Sequence, residues 1–241
     1  MLYLIGLGLN ESGLSKEGIE IIKKCPTIYL ESYTVEFPYE IEELKLNKKI
    51  IKLKREEVES NKLIEKAKKE DVALLIYGSP LFATTHISLV LEAKKQKIKT
   101  KVIYSASIFD AIAETGLQLY KFGKILSMPQ WTKDYQPKSF LDFFEQNESI
   151  GAHSLILIDI GLNFENALKQ LEESFINFKG NKNGLKKILV CSRMGSKKAK
   201  IIYKNLKDLK KLQGKKILAP FCFIIPSKMH FLEKTFVERF S

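Results

Sequence analysis

Short apolar runs alternate with amphipathic stretches, in which apolar residues recur every third or fourth position, from one end of the chain to the other. A run that is apolar at successive positions suits a strand buried on both faces. A three-to-four-residue period suits a helix with one apolar side. Alternation of the two argues for parallel α/β structure. In the first half the pattern predicts strands at Leu2–Gly6, Thr27–Glu31, Lys49–Leu53, Val72–Tyr77 and Lys101–Tyr104, and helices at Ser15–Lys24, Asn61–Lys69, Thr85–Lys95 and Ser107–Glu114. In the second half it predicts strands at Lys124–Met128, Ser154–Ile160, Lys187–Cys191 and Lys216–Ile225, and helices at Phe140–Glu145, Phe164–Phe178, Asn205–Leu212 and Lys228–Phe240. Ile201–Tyr203 reads either as a short strand or as the start of a helix.

No internal repeat is visible. Pro129–Pro137 and the Asn-, Lys- and Gly-rich Lys179–Gly184 read as surface loops. The expected architecture is two α/β domains, an N-terminal one over 1–110 and a C-terminal one over 111–241, joined near Ile108–Gly116.

Composition narrows the function classes. A chain of 241 residues, 45% apolar and 28% charged, can bury a substantial core and is not of disordered type. The longest apolar run, Ile217–Ile225, is broken by Pro220 and is too short to span a bilayer. Leu2–Ile5 lacks a basic n-region and reads as a first strand rather than a leader. Cys25, Cys191 and Cys222 are far apart with no CxxC, which points to a reduced, cytoplasmic setting. His86, His153 and His230 are equally scattered, so no metal site is expected.

The net charge of +12 raises a nucleic-acid reading. Only Arg55, Arg193 and Arg239 are arginines, and 37 of the 40 basic residues are lysine. Lysine is a solvated point charge, whereas the arginine fork is the usual specific reader of phosphates and bases. The lysines therefore read first as a solvated surface, and no direct nucleic-acid contact is required.

The candidate chemistry lies in Val72–His86, where an apolar strand ends in Gly78-Ser79-Pro80 and Thr84-Thr85-His86 opens a helix. Such strand-turn-helix junctions bind small molecules beyond the carboxyl ends of open α/β sheets. Gly78 allows close backbone approach, Pro80 stiffens the turn, and Thr84 or Thr85 can cap the helix. A second glycine turn, Gly6-Leu7-Gly8, follows the first strand. It does not complete a dinucleotide fingerprint, because position 11 is Glu11 where a glycine is needed. Glu31, placed like a ribose-binding acid, does not rescue it. There is no GxxxxGK[ST] loop.

With these turns stand Tyr3–Leu9 (YLIGLGL), Ile21–Cys25 (IIKKC), Glu31–Thr34 (ESYT), Gly78–His86 (GSPLFATTH), Ser105–Ile108 (SASI), Thr115–Leu117 (TGL), Leu119–Gly123 (LYKFG), His153–Ile160 (HSLILIDI), Ser192–Ser196 (SRMGS) and Ile225–His230 (IPSKMH). In this order, from residue 1 to about 232, they resemble the tetrapyrrole-methylase superfamily. The ATTH and LYKFG stretches resemble its diphthine branch. The resemblance implies S-adenosylmethionine as cofactor, held in a cleft between two α/β domains. It implies methylation of the amino group of the aminocarboxypropyl-histidine of translation elongation factor 2, in diphthamide biosynthesis, by a cytoplasmic homodimer with no membrane association. Carried over by position, it implies cofactor contacts at Leu9, Ser79, Phe82, Ser107, Ile108, Ile158, Met194 and Phe221.

The family's turn after the fourth strand has Gly-Asp-Pro, and Ser79 replaces that acid here. The second-half loops are also shorter. Three of these residues have a plainer alternative: Ile158 and Phe221 as core, Ser107 as a helix cap. His86 is a candidate general base, although a first-turn histidine more often orients structure or substrate. Tyr33 is a candidate for stabilising a methylated, charged product. Arg193 could meet a carboxylate or form a surface salt bridge, Asp159 could orient substrate or cap a turn, and His153 reads as structural. Two rivals stay open. One is another methylase of the superfamily, acting on a corrinoid precursor or on rRNA ribose. The other is a non-catalytic basic RNA-binding protein.

Overall fold

The computed structural model describes residues 1–176, 178, 185–212 and 217–241. The loop expected at Lys179–Gly184 and the first residue of the strand expected at Lys216–Ile225 lie outside the described residues. The chain forms two compact units, Met1–Asp110 and Ala111–Ser241.

The first unit is built on five strands, β1 (Leu2–Gly6), β2 (Thr27–Glu31), β3 (Ile50–Leu53), β4 (Val72–Ile76) and β5 (Thr100–Ile103), in the order β3-β2-β4-β1-β5. All neighbours are parallel, with Leu2 opposite Val72 and Thr27 also opposite Val72. Helices α1 (Lys16–Lys24), α2 (Arg55–Val58), α3 (Lys62–Lys69), α4 (Ile87–Lys95) and α5 (Ile108–Ala111) form the connections or follow the last strand. The uninterrupted apolar runs of β1 and β4 follow from covering on both faces. Leu2, Leu4, Val72, Leu74 and Ile76 pack on one side with Leu63, Ile64 and Leu89 from α3 and α4. Ile5, Ala73 and Leu75 pack on the other with Ile22 from α1. Ser15 caps α1 by accepting from the Gly18 amide at 3.0 Å.

The second unit carries β6 (Leu126–Met128), β7 (Ser154–Ile158), β8 (Ile188–Ser192), β9 (Lys200–Lys204) and β10 (Phe221–Ile225), ordered β6-β7-β10-β8-β9. Its helices are α6 (Phe140–Ser149), α7 (Phe164–Ile176), α8 (Leu206–Lys211) and α9 (Phe231–Val237). Here the expectation of parallel strands throughout is corrected. β6 and β7 are parallel, but β10 runs antiparallel to both its neighbours and β8 to β9. The physical reason is connection length: the short link from β8 to β9 permits a hairpin, whereas a parallel crossover needs about a dozen residues or more. Ile201–Tyr203 is thereby strand. The core of this unit is Phe140, Phe144, Ile156, Phe164, Leu168, Val190 and Phe223 with their neighbours.

Candidate functional site

The loops that leave β1, β4 and β5 meet at the carboxyl edge of the first sheet. β1 and β4 are neighbours, yet the chain leaves β1 toward β2 on one side and β4 toward β5 on the other. Turns therefore diverge where Gly8 and Gly78 stand, the arrangement in which open α/β sheets form ligand crevices. The two glycines exchange backbone hydrogen bonds, Gly8 N to Gly78 O at 3.2 Å and Gly78 N to Gly8 O at 3.0 Å. Both have positive φ, 70° and 72°, which side chains other than glycine's adopt at a cost. A Cβ on Gly6 would lie 2.6 Å from the Gly78 carbonyl, so that position must stay bare. A Cβ on Gly78 would instead point into space whose nearest atoms are Ala106 O at 3.9 Å and Ser107 Cα at 4.0 Å. A ligand can lie directly on this backbone.

Side-chain bonds stiffen the rim. The Ser105 hydroxyl donates to Gly13 O at 2.7 Å, and the Tyr77 hydroxyl to Leu9 O at 3.1 Å, joining the loop after β1 to those after β5 and β4. Leu9 is buried at 7% exposure, and Ser79 and Phe82 are half-buried. The Phe82 ring meets Phe109 edge-on, 3.9 Å between centroids. Ser107 does serve as a cap: its oxygen accepts from Phe109 N at 3.2 Å while Asp110 accepts from Ser107 N at 2.7 Å. Thus the structure brings Leu9, Ser79, Phe82, Ser107 and half-buried Ile108 to loops of three adjacent strands.

In the second unit, β10 starts where β7 and β8 end, since Phe221 pairs with Ser192 and Cys222 with Leu157. This places Ile158, buried Met194 and Phe221 at one end of that sheet. Ile158 and Phe221 also pack on the core, and Phe221 lies against Phe164, 5.9 Å between ring centres. Arg193, with φ of 49°, donates from Nε to Ala219 O at 2.8 Å and makes no ion pair among the described residues. Asp159 accepts from the amides of Gln130 and Ile160, so it holds turns together.

Around His86 the structure adds what sequence reasoning missed. Helix α4 starts at Ile87, and neither threonine caps it; Thr84 Oγ1 accepts instead from His86 N at 3.3 Å. The His86 ring is 1% exposed, with Nδ1 3.1 Å from Pro80 O and Nε2 3.8 Å from the Glu31 carboxylate. Nε2 has no hydrogen-bond partner among the described residues. Glu31, also 1% exposed, accepts from the amides of Tyr33 and Thr34 and from the Thr34 hydroxyl, closing its own turn. Burial, then the Glu31 charge, push the Tyr33 phenol up to about 12. Its ring is already occupied by the Arg55 guanidinium, 5.3 Å from the centroid. The Glu-x-x-Thr spacing was the only sequence signal for this turn, and nothing in the sequence tied Arg55 to Tyr33.

His153 is structural through a buried cluster that sequence reasoning did not see. Its Nδ1 accepts from Ser227 N at 3.0 Å, and Nε2 is 3.1 Å from Glu233 Oε1. Burial pushes its pKa down, against the pull of Glu233. Glu233 also takes Lys121 and the amides of Gln118 and His230. Among the described residues no group of three His, Cys, Asp or Glu side chains could hold a metal, and all three cysteines are free. No described helix is long and apolar enough to cross a membrane.

The chain is similar to known proteins in sequence and in fold. Residues 1–210 match the family model of tetrapyrrole (corrin/porphyrin) methylases. The chain belongs to this family, whose members are S-adenosylmethionine-dependent methyltransferases. Within it, the chain is 44% identical over 165 residues to the diphthine methyl ester synthase of Schizosaccharomyces pombe, covering 66% of this chain and 58% of that protein. It is 41% identical over 177 residues to the diphthine methyl ester synthase of Homo sapiens, covering 70% and 62%. A crystal structure of diphthine synthase superposes with a TM-score of 0.88 at 30% identity, covering 100% of this chain and 95% of that one. The chain spans little more than half the length of the curated relatives it matches.

Proposed function

We infer that the protein is an S-adenosylmethionine-dependent methyltransferase that methylates the amino group of the aminocarboxypropyl-histidine of translation elongation factor 2, in diphthamide biosynthesis. The observation that carries this reading is the Gly8–Gly78 bridge with open space in front of Gly78, in a chain of the methylase family. The cofactor is proposed to lie on Gly78 with Leu9, Ser79, Phe82, Ser107 and Ile108 as contacts; Ile158, Met194 and Phe221 are proposed as further contacts on the strength of the family resemblance alone. The residues suit it: bare backbone for polar edges and apolar side chains for the flat ring. Ser79 keeps a hydrogen-bonding group where relatives of this type carry an acid, without the charge.

When bound, S-adenosylmethionine supplies a methyl group already activated by its sulfonium. The chain's task is then alignment of nucleophile, carbon and sulfur, which can supply several kcal/mol of the barrier, of the order of 7–11 in well-oriented reactions. An α-amino group titrates near 8, so a fraction is neutral at neutral pH and water can take the proton. The relatives' name adds an ester, and the substrate arm carries a carboxylate beside its amine. Transfer to that oxygen as well belongs to the same proposal. The protein is further proposed to act in the cytoplasm as a homodimer, on the strength of the family resemblance.

The test is mass spectrometry of the elongation-factor peptide bearing the aminocarboxypropyl-histidine, after incubation with the protein and S-adenosylmethionine. Methyl-mass steps are expected; any ester methyl is released by alkali and amine methyls are not. No added mass, with cofactor still bound, would move the substrate to a corrinoid precursor or rRNA. Phe82→Asp is expected to abolish S-adenosylhomocysteine binding in calorimetry while circular dichroism stays unchanged. Undiminished affinity would show that the contacts are misplaced.

A further inference from the structure

His86 is bonded in a way that assigns its hydrogens. A carbonyl oxygen only accepts, so the 3.1 Å contact with Pro80 O requires the hydrogen on Nδ1. The same carbonyl takes the Thr84 hydroxyl at 3.3 Å. Pro80 belongs to the turn closed by Phe82 N to Ser79 O at 3.2 Å, and Ala83 beyond it has φ of 50°. A left-handed alanine directly after the turn is not favoured by local preference, so the bonds that converge on the Pro80 carbonyl help to hold this segment in shape. On its far side the imidazole faces Glu31, itself fixed by the Tyr33 and Thr34 amides. The ring thus stands between the ends of β2 and β4, bonded to the β4 side.

We propose that His86 is a positioning residue: through Nδ1–H it clamps the Pro80 carbonyl and sets the Ser79–Phe82 turn for the cofactor, and it transfers no proton. The inference rests on the methyltransferase reading for its functional consequence but not for the clamp itself. Two variants separate the ring nitrogens, because an asparagine amide nitrogen falls near Nδ1 and a glutamine one near Nε2. His86→Asn is expected to retain S-adenosylhomocysteine affinity and slow amide exchange across Leu81–His86. His86→Gln is expected to lose affinity roughly tenfold, the equivalent of one buried hydrogen bond, and to exchange faster in that segment. Equal behaviour of the two variants, or turnover lost in His86→Asn with affinity intact, would overturn the proposal. If the unaltered protein binds no S-adenosylhomocysteine, the cofactor reading fails while the exchange comparison still decides the clamp. In the unaltered protein, ¹⁵N spectra of the imidazole are expected to place the hydrogen on Nδ1. A hydrogen on Nε2 alone would refute the clamp without any substitution.

Discussion

Glu233 is 1% exposed, and burial alone would raise its pKa; the Gln118 and His230 amides, Lys121 and His153 outweigh that and hold it at about 2. A carboxylate held down from 4.5 contributes stability above its ordinary pKa and loses it as pH falls toward 2. His153, pushed below 6.5 by burial, acts in the same sense, since the unfolded chain takes up its proton first as pH drops. The second unit is therefore expected to lose stability progressively from about pH 6.5 downward, with Glu233 accounting for roughly 3 kcal/mol of the loss. Urea unfolding followed by the single tryptophan, Trp131, reports this unit. Glu233→Gln should be less stable at pH 7 and flatter below pH 4.5. An unchanged acid slope would assign the loss to other groups. Beyond the structural reading of His153, this network was not legible beforehand, because Gln118 and Glu233 are 115 positions apart. The turn residues of the candidate site were legible, since glycine and proline signal backbone demands locally. Their partners, such as Pro80 for His86, lay in geometry that periodicity does not encode.

At the scale of elements, α6 runs to Ser149, past the expected end at Glu145. The polar run Gln146-Asn147-Glu148 reads as a helix end, but Asn147 turns inward and is 1% exposed. Its Oδ1 accepts from Lys124 N at 2.7 Å, and Nδ2 donates to Lys124 O at 2.7 Å and Ser154 Oγ at 3.0 Å. One side chain thus binds α6 to the chain entering β6 and to β7, and a Cβ on Gly123 would displace the Asn147 amide from these bonds. Asn147→Ala strands a buried amide and carbonyl, for a cost of about 3 kcal/mol. A lowered melting temperature by Trp131 fluorescence checks it, and a melting curve like the parent's would discount the network. The first sheet's strands were legible almost to the residue: two-sided burial writes the inner β1, β2 and β4 as apolar runs, while the edge strands β3 and β5 are half exposed and shorter in apolar residues. Strand direction in the second sheet was not, as an antiparallel strand buried on both faces has the same composition as a parallel one.

For the whole molecule, the charge of +12 is spread over lysines, many already paired, as Lys210 is with Glu172 and Lys101 with Glu17. Association with RNA is expected to be weak, independent of sequence, and lost steeply with added salt. Filter binding across a salt series checks this, and tight binding at low salt, with the same steep salt dependence and no S-adenosylhomocysteine affinity, would favour the RNA-binding rival.

The place of β10 has a consequence for how the chain is made. It lies between β7 and β8 although it is synthesised after β9. On the ribosome, the first sheet has all its strands once Ile103 has emerged, before β6 exists. The second sheet meanwhile waits as two separate ribbons, β6 with β7 and β8 with β9, each showing the unpaired edge that β10 will fill. Nascent chains halted in this interval would carry a finished unit joined to an adhesive one, and it is there that translation speed and chaperone capture bear on the yield of native protein.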